Sequence, residues 1–251
     1  MIEFSGSLRI PGIITTTSPR VDESTALSHD AFFNDPFAIS RSLNDIAALI
    51  NEQSDHIGLA YAKGRGRSLQ GVDLSLHPVS GTAWQDVSGF LGELWFDGPW
   101  SYGLCAERDS TDERALIAGL SIMPGDQLRR YYHHNPTYSH VAVENPSRTA
   151  IAVELQAQES KISARDGMKE VIDGVAWEDL LVDAFVAWGH SIRLDRVGIL
   201  PAALNKYQHK VPFARLKRRY DDVAARHGFE PEEHGIYFLT LSGEQVAMSE
   251  K

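Results

Sequence analysis

Histidine and tyrosine side chains concentrate between residues 131 and 140, a stretch that holds three histidines and three tyrosines. Histidine titrates close to neutral pH and can therefore act as a general base toward an amine or a water molecule. Glu144 follows on a predicted strand and supplies a carboxylate that can orient an imidazole. His140 with Glu144 is the preferred pair for such chemistry, and His134 is the alternative base.

Metal binding is a second possibility for this segment, because imidazoles together with a carboxylate can hold zinc or another divalent ion. A metal-dependent hydrolase built on His133, His134 and His140 is therefore one functional hypothesis. Adjacent histidines in a strand point to opposite faces, however, so His133 and His134 would not both reach one ion. The sequence contains no HExxH pattern, and we expect no metal.

The charge of the chain is unevenly distributed. The net charge is −10, yet Asn205–Arg226 holds seven basic and two acidic residues, so this segment carries +5 and the remainder −15. Phosphate recognition needs basic surface, so nucleic-acid binding is unlikely except through residues 205–226. The basic residues indicate either a site for a phosphorylated cofactor or a solvated helix face. The i,i+4 spacing allows two ion pairs on such a face, Lys217 with Asp221 and Arg218 with Asp222.

The amino-acid composition and the lengths of the apolar segments indicate where in the cell the protein is located. No apolar run approaches the roughly 18 residues of a transmembrane helix, and the first residues lack the basic and apolar regions of a signal peptide. The single cysteine, Cys105, excludes an internal disulfide framework and a Cys-rich zinc site. We therefore expect a cytoplasmic protein that does not contact a membrane, with Cys105 as an inert buried residue.

Trp84, Trp95 and Trp100 lie in a glycine-rich stretch with few titratable groups. Aromatic clusters of this kind line a ligand groove or a partner interface, or they form the core of a small sheet. We interpret the segment 84–103 as a binding wall rather than a reaction centre.

Hydrophobic periodicity and turn residues predict an α+β fold with a mixed, mostly antiparallel sheet flanked by helices. The predicted strands are 7–14, 56–62, 72–77, 93–96, 101–107, 114–122, 139–144, 149–156, 197–200 and 236–241. The predicted helices are 36–51, 177–192 and 212–227, the last one stopped by Gly228. Residues 1–70 are predicted to form an N-terminal extension with a strand and a helix, and residues 71–251 the mixed-sheet domain, unless both belong to one domain.

The C-terminal half carries a resemblance to a known family. Residues 215–230 contain a helix that ends in Gly-Phe, and the strand 236–241 follows with paired aromatic residues. Together with the preceding order of strand, helix and strand, the last hundred or so residues resemble the GCN5-related N-acetyltransferases. The family's Arg/Gln-x-x-Gly-x-Gly/Ala loop, whose backbone amides hold the pyrophosphate of acyl-CoA, is absent after the strand 149–156.

This resemblance implies transfer of an acyl group from acyl-CoA, the co-substrate, to a small-molecule or peptide amine. The donor would lie where the strands 149–156 and 197–200 run parallel and splay apart. The resemblance also implies that Tyr220 is the general acid for the leaving thiolate. The alternative is that Tyr220, which lies on the apolar stripe of its helix, packs in the core with its hydroxyl at the rim. The candidate cofactor-binding residues are Asn205, Tyr207, Lys217 and Arg218.

A different class of protein also fits the sequence. In this alternative the chain is a non-catalytic binding or assembly protein that uses the segment 84–103 and the basic helix 213–227 as contact surfaces. It would bind a protein partner or form a homo-oligomer.

Overall fold

The computed structural model describes the C-terminal part of the chain almost continuously and the N-terminal part in short pieces. The described residues are 44–45, 47–48, 51–52, 60–63, 71–79, 100–108, 114–128, 143–146, 148–157 and 168–241. Their strands are β1 (Val72–Val79), β2 (Trp100–Arg108), β3 (Arg114–Pro124), β4 (Thr149–Ala157), β5 (Arg196–Ile199), β6 (Glu230–Pro231) and β7 (Tyr237–Thr240).

These described strands form a seven-stranded sheet in the order β1-β2-β3-β4-β5-β7-β6. Every neighbouring pair is antiparallel except β4 and β5, which run parallel. The described helices are α1 (Met168–Gly174), α2 (Trp177–Ser191), α3 (Phe213–Arg219) and α4 (Asp221–Arg226). The predicted α+β class with a mixed, mostly antiparallel sheet is confirmed.

Most predicted elements within the described residues are confirmed. Six predicted strands correspond to β1 to β5 and β7, while the two-residue β6 and the helix α1 were not predicted. The predicted strands 7–14 and 93–96 lie outside the described residues. Of the predicted strand 56–62, only residues 60–62 are described, and they are not a strand: Ala60 is helical, Tyr61 lies in a turn, and Ala62 forms an isolated bridge with Val175. Of the predicted strand 139–144, only Val143 and Glu144 are described, and neither is in a strand. The described residues of the predicted helix 36–51 are helical at positions 44, 45, 47, 48 and 51.

The central strand β4 is buried on both faces. This is expected for a strand that helices cover on one face and other segments of the same polypeptide cover on the other. Ala150, Ala152 and Leu155 pack in the larger core cluster, while Ile151 and Val153 pack in a smaller cluster on the other face. This double burial explains why the strand is an almost continuous apolar run rather than an alternating one.

Helix α2 covers the larger cluster with the apolar stripe that its sequence predicts. Trp177, Leu181, Phe185 and Trp188 are all buried on this face. Trp100 of β2 packs against Trp188 with ring centroids 6.2 Å apart. Trp100 therefore belongs to the core, not to an accessible wall, whereas Trp84 and Trp95 lie outside the described residues.

The prediction of one helix from Pro212 to His227 is wrong, because the structure has two helices there, α3 and α4. The break falls at Tyr220, whose φ of −107° and ψ of −64° depart from ideal helical values. The next residue, Asp221, accepts a hydrogen bond from the backbone N–H of Ala202 at 2.8 Å. This contact ties the start of α4 to the turn after β5. The predicted stop is confirmed, because Gly228 has a φ of +76°, a conformation that favours glycine.

No helix among the described residues is long and apolar enough to span a membrane.

Candidate functional site

Strands β4 and β5 diverge partway along their length. They form four residue pairs, from Thr149 with Arg196 to Ala152 with Ile199. One further backbone hydrogen bond joins Leu200 N–H to the carbonyl of Ala152 at 3.0 Å. Beyond this point the chain leaves β5, while β4 continues to Ala157 and, among the described strands, pairs there only with β3 on its other side. We call the place where the pairing of β4 with β5 ends the β4–β5 gap.

Tyr220 lies at the break between α3 and α4 and is buried in the larger core cluster, as the alternative prediction for this residue has it, with its hydroxyl at the gap. Its hydroxyl accepts a hydrogen bond from the backbone N–H of Leu155 at 2.9 Å, in place of the bond that a continued β5 would make. Burial, together with the charge of Glu154, raises the pKa of Tyr220 to about 12 against the opposing effect of that hydrogen bond. The phenol therefore keeps its proton at neutral pH and can donate it.

A β-bulge on β4 determines where its acidic side chain points. Val153 is an extra residue relative to β3, so the alternation of faces holds as far as Val153 and shifts after it. As a result Leu155, rather than Glu154, shares the larger core with Ala150 and Ala152. The bulge thus turns a carboxylate away from the apolar core and toward the gap.

The Glu154 carboxylate is fully buried, with 0% exposure, and its Oε1 forms an ion pair with Lys206 Nζ. Lys206 follows the short turn Ala202–Leu204 after β5, so this ion pair bridges the two sides of the gap. The Lys206 ammonium also lies 4.9 Å from the ring centroid of Tyr207, a cation–π distance. A buried carboxylate needs such compensation, because desolvating an isolated charge is costly.

Amide side chains complete the gap. Asn205 is fully buried, and its Oδ1 accepts a hydrogen bond from the backbone N–H of Tyr207 at 2.9 Å. Burial and the charge of Glu154 raise the pKa of the Tyr207 hydroxyl. The side-chain amides of Gln156 and Asn205 face the hydroxyls of Tyr207 and Tyr220, respectively, and oppose the rise of the pKa of each hydroxyl. Neither buried amide nitrogen reaches an acceptor among the described residues with ordinary hydrogen-bond geometry. The gap therefore presents donors that a ligand oxygen can satisfy.

Three of the predicted site residues, Tyr220, Asn205 and Tyr207, thus come together at the gap. Lys217 and Arg218 are exposed on α3. Lys217 Nζ lies 2.6 Å from the carboxylate of Asp222, which corrects the predicted pairs of Lys217 with Asp221 and Arg218 with Asp222. The reason is the contact of Asp221 with Ala202, which directs that carboxylate toward the end of β5.

The predicted acid–base pair of His140 and Glu144 is only half described. Glu144 is exposed, and its backbone carbonyl accepts a hydrogen bond from Arg196. His140, His133 and His134 lie outside the described residues. Within the described part of the chain, no group of histidine, cysteine or acidic side chains is arranged to hold a metal ion.

Glu154, Gln156 and Lys206 were not predicted as site residues of an acyltransferase. Glu154 did carry a detectable signal, since it is the one charged residue in the otherwise apolar run Thr149–Leu155. A charge in a strand buried on both faces is rare without a partner or a function. The bulge that orients Glu154 and the turn that delivers Lys206 have no comparable sequence signal.

A second charged cluster, the His227 cluster, fixes the helices that hold Tyr220. His227, at the end of α4, places Nε2 3.0 Å from Asp179 and Nδ1 2.9 Å from Asp183, both on α2. Arg226 also reaches Asp179, at 2.8 Å, and the Tyr61 hydroxyl donates to Asp183. Both ring nitrogens face carboxylates, so the geometry requires the doubly protonated imidazolium.

The His227 cluster shifts the titration of its members. Burial disfavours the imidazolium, but hydrogen bonds to Asp179 and Asp183 outweigh it and raise the pKa of His227 to about 9. Burial likewise disfavours the charged carboxylate, but hydrogen bonds from His227 and Arg226 hold the pKa of Asp179 below its ordinary value. Burial and the charge of Asp183 raise the pKa of Tyr61 well above its ordinary value.

These shifts predict a pH-dependent stability. Because the folded-state pKa of about 9 exceeds the ordinary value of 6.5, the contribution of His227 is complete below pH 6.5 and is lost as pH rises through 9. The loss should be on the order of 3 kcal/mol. Urea unfolding of the wild type and of His227→Gln, compared between about pH 6 and about pH 10, measures it. Equal pH slopes for the two proteins would contradict the assignment.

Cys105 is buried in β2 with 1% exposure, as predicted, and is not part of the gap residues described above.

No protein-family model matches the sequence, and no curated protein matches it either.

Proposed function

We propose that this protein is an N-acyltransferase that transfers an acyl group from acyl-CoA to an amine, with the donor thioester in the β4–β5 gap. The observation that carries the proposal is the parallel β4–β5 pair that ends at Ala152 while β4 continues past it. This is the arrangement that the resemblance to the GCN5-related N-acetyltransferases implies for the donor site. The side chains that meet there also suit the reaction.

The side chains at the gap provide the chemical groups that reaction of an acyl thioester with an amine needs. Gln156 and Asn205 present buried amide N–H groups that can donate to a carbonyl oxygen, which gains negative charge during acyl transfer. Tyr220 holds a proton at neutral pH. Glu154 is the buried carboxylate of the gap and can accept a proton from an amine.

In the proposed reaction Glu154 and Tyr220 transfer protons, and the amides of Gln156 and Asn205 stabilise negative charge. The carboxylate of Glu154 accepts a proton from the acceptor amine, so that the neutral nitrogen can attack. The amide N–H groups of Gln156 and Asn205 stabilise the developing oxyanion. The hydroxyl of Tyr220 gives its proton to the leaving sulfur, which becomes a thiol, and the second proton lost by the nitrogen restores the Tyr220 hydroxyl. When bound, acyl-CoA supplies the activated acyl group.

Calorimetric titration with acetyl-CoA tests donor binding. The wild type should bind, and Gln156→Leu should bind about 5- to 10-fold more weakly, because one hydrogen bond contributes about 1 kcal/mol. Gln127→Leu is the matched control, since Gln127 follows the end of β3 that pairs with the start of β4, away from Gln156. Absence of wild-type binding at about 1 mM acetyl-CoA would refute the proposal.

A second candidate function is the non-catalytic binding protein. One observation favours it: Phe213, at the start of α3, is 53% exposed, and the exposed side chains of Lys217 and Arg218 lie on the same helix. An exposed aromatic residue beside positive charge suits an acidic protein surface. Light scattering should then detect an oligomer or complex that Phe213→Ser weakens, with no response to acetyl-CoA.

A further inference from the structure

We propose that Lys206 is a site of self-acylation, at which the protein transfers an acyl group from the bound donor to its own Lys206 Nζ. The inference rests on the proposed function, because it needs an acyl thioester in the β4–β5 gap. Its basis is the pairing of a lysine amine with a fully buried carboxylate at the opening where the donor would lie.

Lys206 differs from the other lysines whose ion pairs are known in the described chain. Lys63, Lys169 and Lys217 pair with carboxylate side chains that are 20%, 64% and 43% exposed, respectively. The Glu154 side chain is 0% exposed, whereas Lys206 itself is 26% exposed. The pair therefore combines a base withdrawn from water with an amine that retains partial access to solvent.

The surroundings of Lys206 hold the groups that acylation of an amine needs. Glu154 Oε1 is in contact with Lys206 Nζ and can accept its proton. The next residue on β4, Leu155, bonds through its N–H to the hydroxyl of Tyr220, so a proton donor lies one residue from the base. Proximity of this kind makes an internal amine a stronger competitor than an amine from solution.

The reaction balances with acyl-CoA as the only co-reactant. Glu154 takes one proton from the Lys206 ammonium, and the neutral amine attacks the thioester carbonyl. The new C–N bond forms as the C–S bond breaks, and the sulfur leaves with a proton from Tyr220. The second proton of the nitrogen restores the Tyr220 hydroxyl, and Glu154 releases the proton that it accepted. The products are acyl-Lys206, the thiol form of CoA and one proton released to water.

Acylation would change the site that it modifies. An acylated lysine has no charge and cannot form a salt bridge, so the Lys206–Glu154 ion pair is lost. The carboxylate of Glu154 would then be available to the ammonium group of an external amine. Before self-acylation, Lys206 neutralises the Glu154 carboxylate. After self-acylation, that carboxylate would attract a cationic acceptor amine.

The test incubates the purified full-length protein with acetyl-CoA and maps acetylated lysines by peptide mass spectrometry. Donor binding is measured on the same sample by calorimetry. Lys206 should be acetylated at least 10-fold faster than the exposed Lys210, which reports uncatalysed acetylation in the same loop. Glu154→Gln should slow modification of Lys206 about 100-fold, the lower range for a general base, without changing that of Lys210.

Lys206→Arg provides a variant that keeps the positive charge for Glu154 and removes the acceptor amine. It should fold, bind the donor, and yield peptides that are acetylated only at the uncatalysed rate. If calorimetry shows donor binding but Lys206 reacts no faster than Lys210, self-acylation is overturned and the proposed function stands. If the wild type binds no donor, both proposals are overturned together.

Discussion

Replacing Asp183 with alanine is expected to lower the free energy of unfolding by about 3–5 kcal/mol, the cost of breaking a buried ion pair by removing one partner. Asp183 is 7% exposed and accepts from both the Tyr61 hydroxyl and His227 Nδ1. The variant leaves both donors buried without this acceptor. Among the described residues, a positive charge on His227 then has only Asp179 to oppose its desolvation.

The measurement is urea unfolding followed by circular dichroism at about pH 7, with the midpoint and slope fitted separately. Asp173→Ala is the matched control, because Asp173 is an acidic residue whose ion pair with Lys169 is exposed. Exposed pairs of this kind contribute about 0.5 kcal/mol or less. A loss for Asp183→Ala no larger than for Asp173→Ala would show that the His227 cluster does not stabilise the fold.

The strands and the apolar helix of this protein could be predicted from local pattern. The stripe of Trp177, Leu181 and Trp188 repeats at helical spacing, and it is the face that α2 buries. The break at Tyr220 could not be predicted in this way. It coincides with a hydrogen bond between Asp221 and Ala202, two residues whose proximity depends on how β5 ends.

The candidate site was predictable only where a residue type was informative on its own. Tyr220, Asn205 and Tyr207 were candidates because the resemblance to the GCN5-related N-acetyltransferases implies a tyrosine on the last helix and polar contacts after the preceding strand. Glu154 and Lys206 are 52 positions apart, and their contact depends on a bulge and a turn. Pair contacts at such separations are set by tertiary packing, which no local periodicity encodes.

The His227 cluster shows the same limit. Asp179 and Asp183 are one helical turn apart, and this i,i+4 spacing is visible in the sequence. Nothing local indicates that their partners are His227, more than 40 residues later, and Tyr61, more than 100 residues earlier. The charge count of the basic segment 205–226 therefore does not distinguish two roles that its basic residues have in the structure. Lys206 compensates a buried carboxylate at the gap, and Arg226 helps to anchor α4 to α2.

Replacing Tyr220 with phenylalanine is expected to have two separable effects. The buried N–H of Leu155 loses its acceptor, which should cost about 1–3 kcal/mol of stability. If Tyr220 also protonates the leaving thiolate, kcat for acyl transfer should fall by about 10²- to 10⁴-fold, the range for general acid–base catalysis. The leaving thiolate of an aryl thioester is more stable and depends less on protonation. Tyr220→Phe should therefore lower kcat less with an aryl thioester than with acyl-CoA.

The matched control is Tyr237→Phe, which removes the same hydroxyl from a half-buried residue of β7. It should change stability by no more than about 0.5 kcal/mol and leave kcat unaffected. Because the pKa of Tyr220 is raised to about 12, its contribution should not vary between neutral and mildly alkaline pH. An equal kcat defect with alkyl and aryl thioesters would contradict the acid role and leave Tyr220 as a residue that positions β4. Unchanged stability would show instead that Leu155 N–H finds another acceptor, and that the phenol is not what holds the gap in shape.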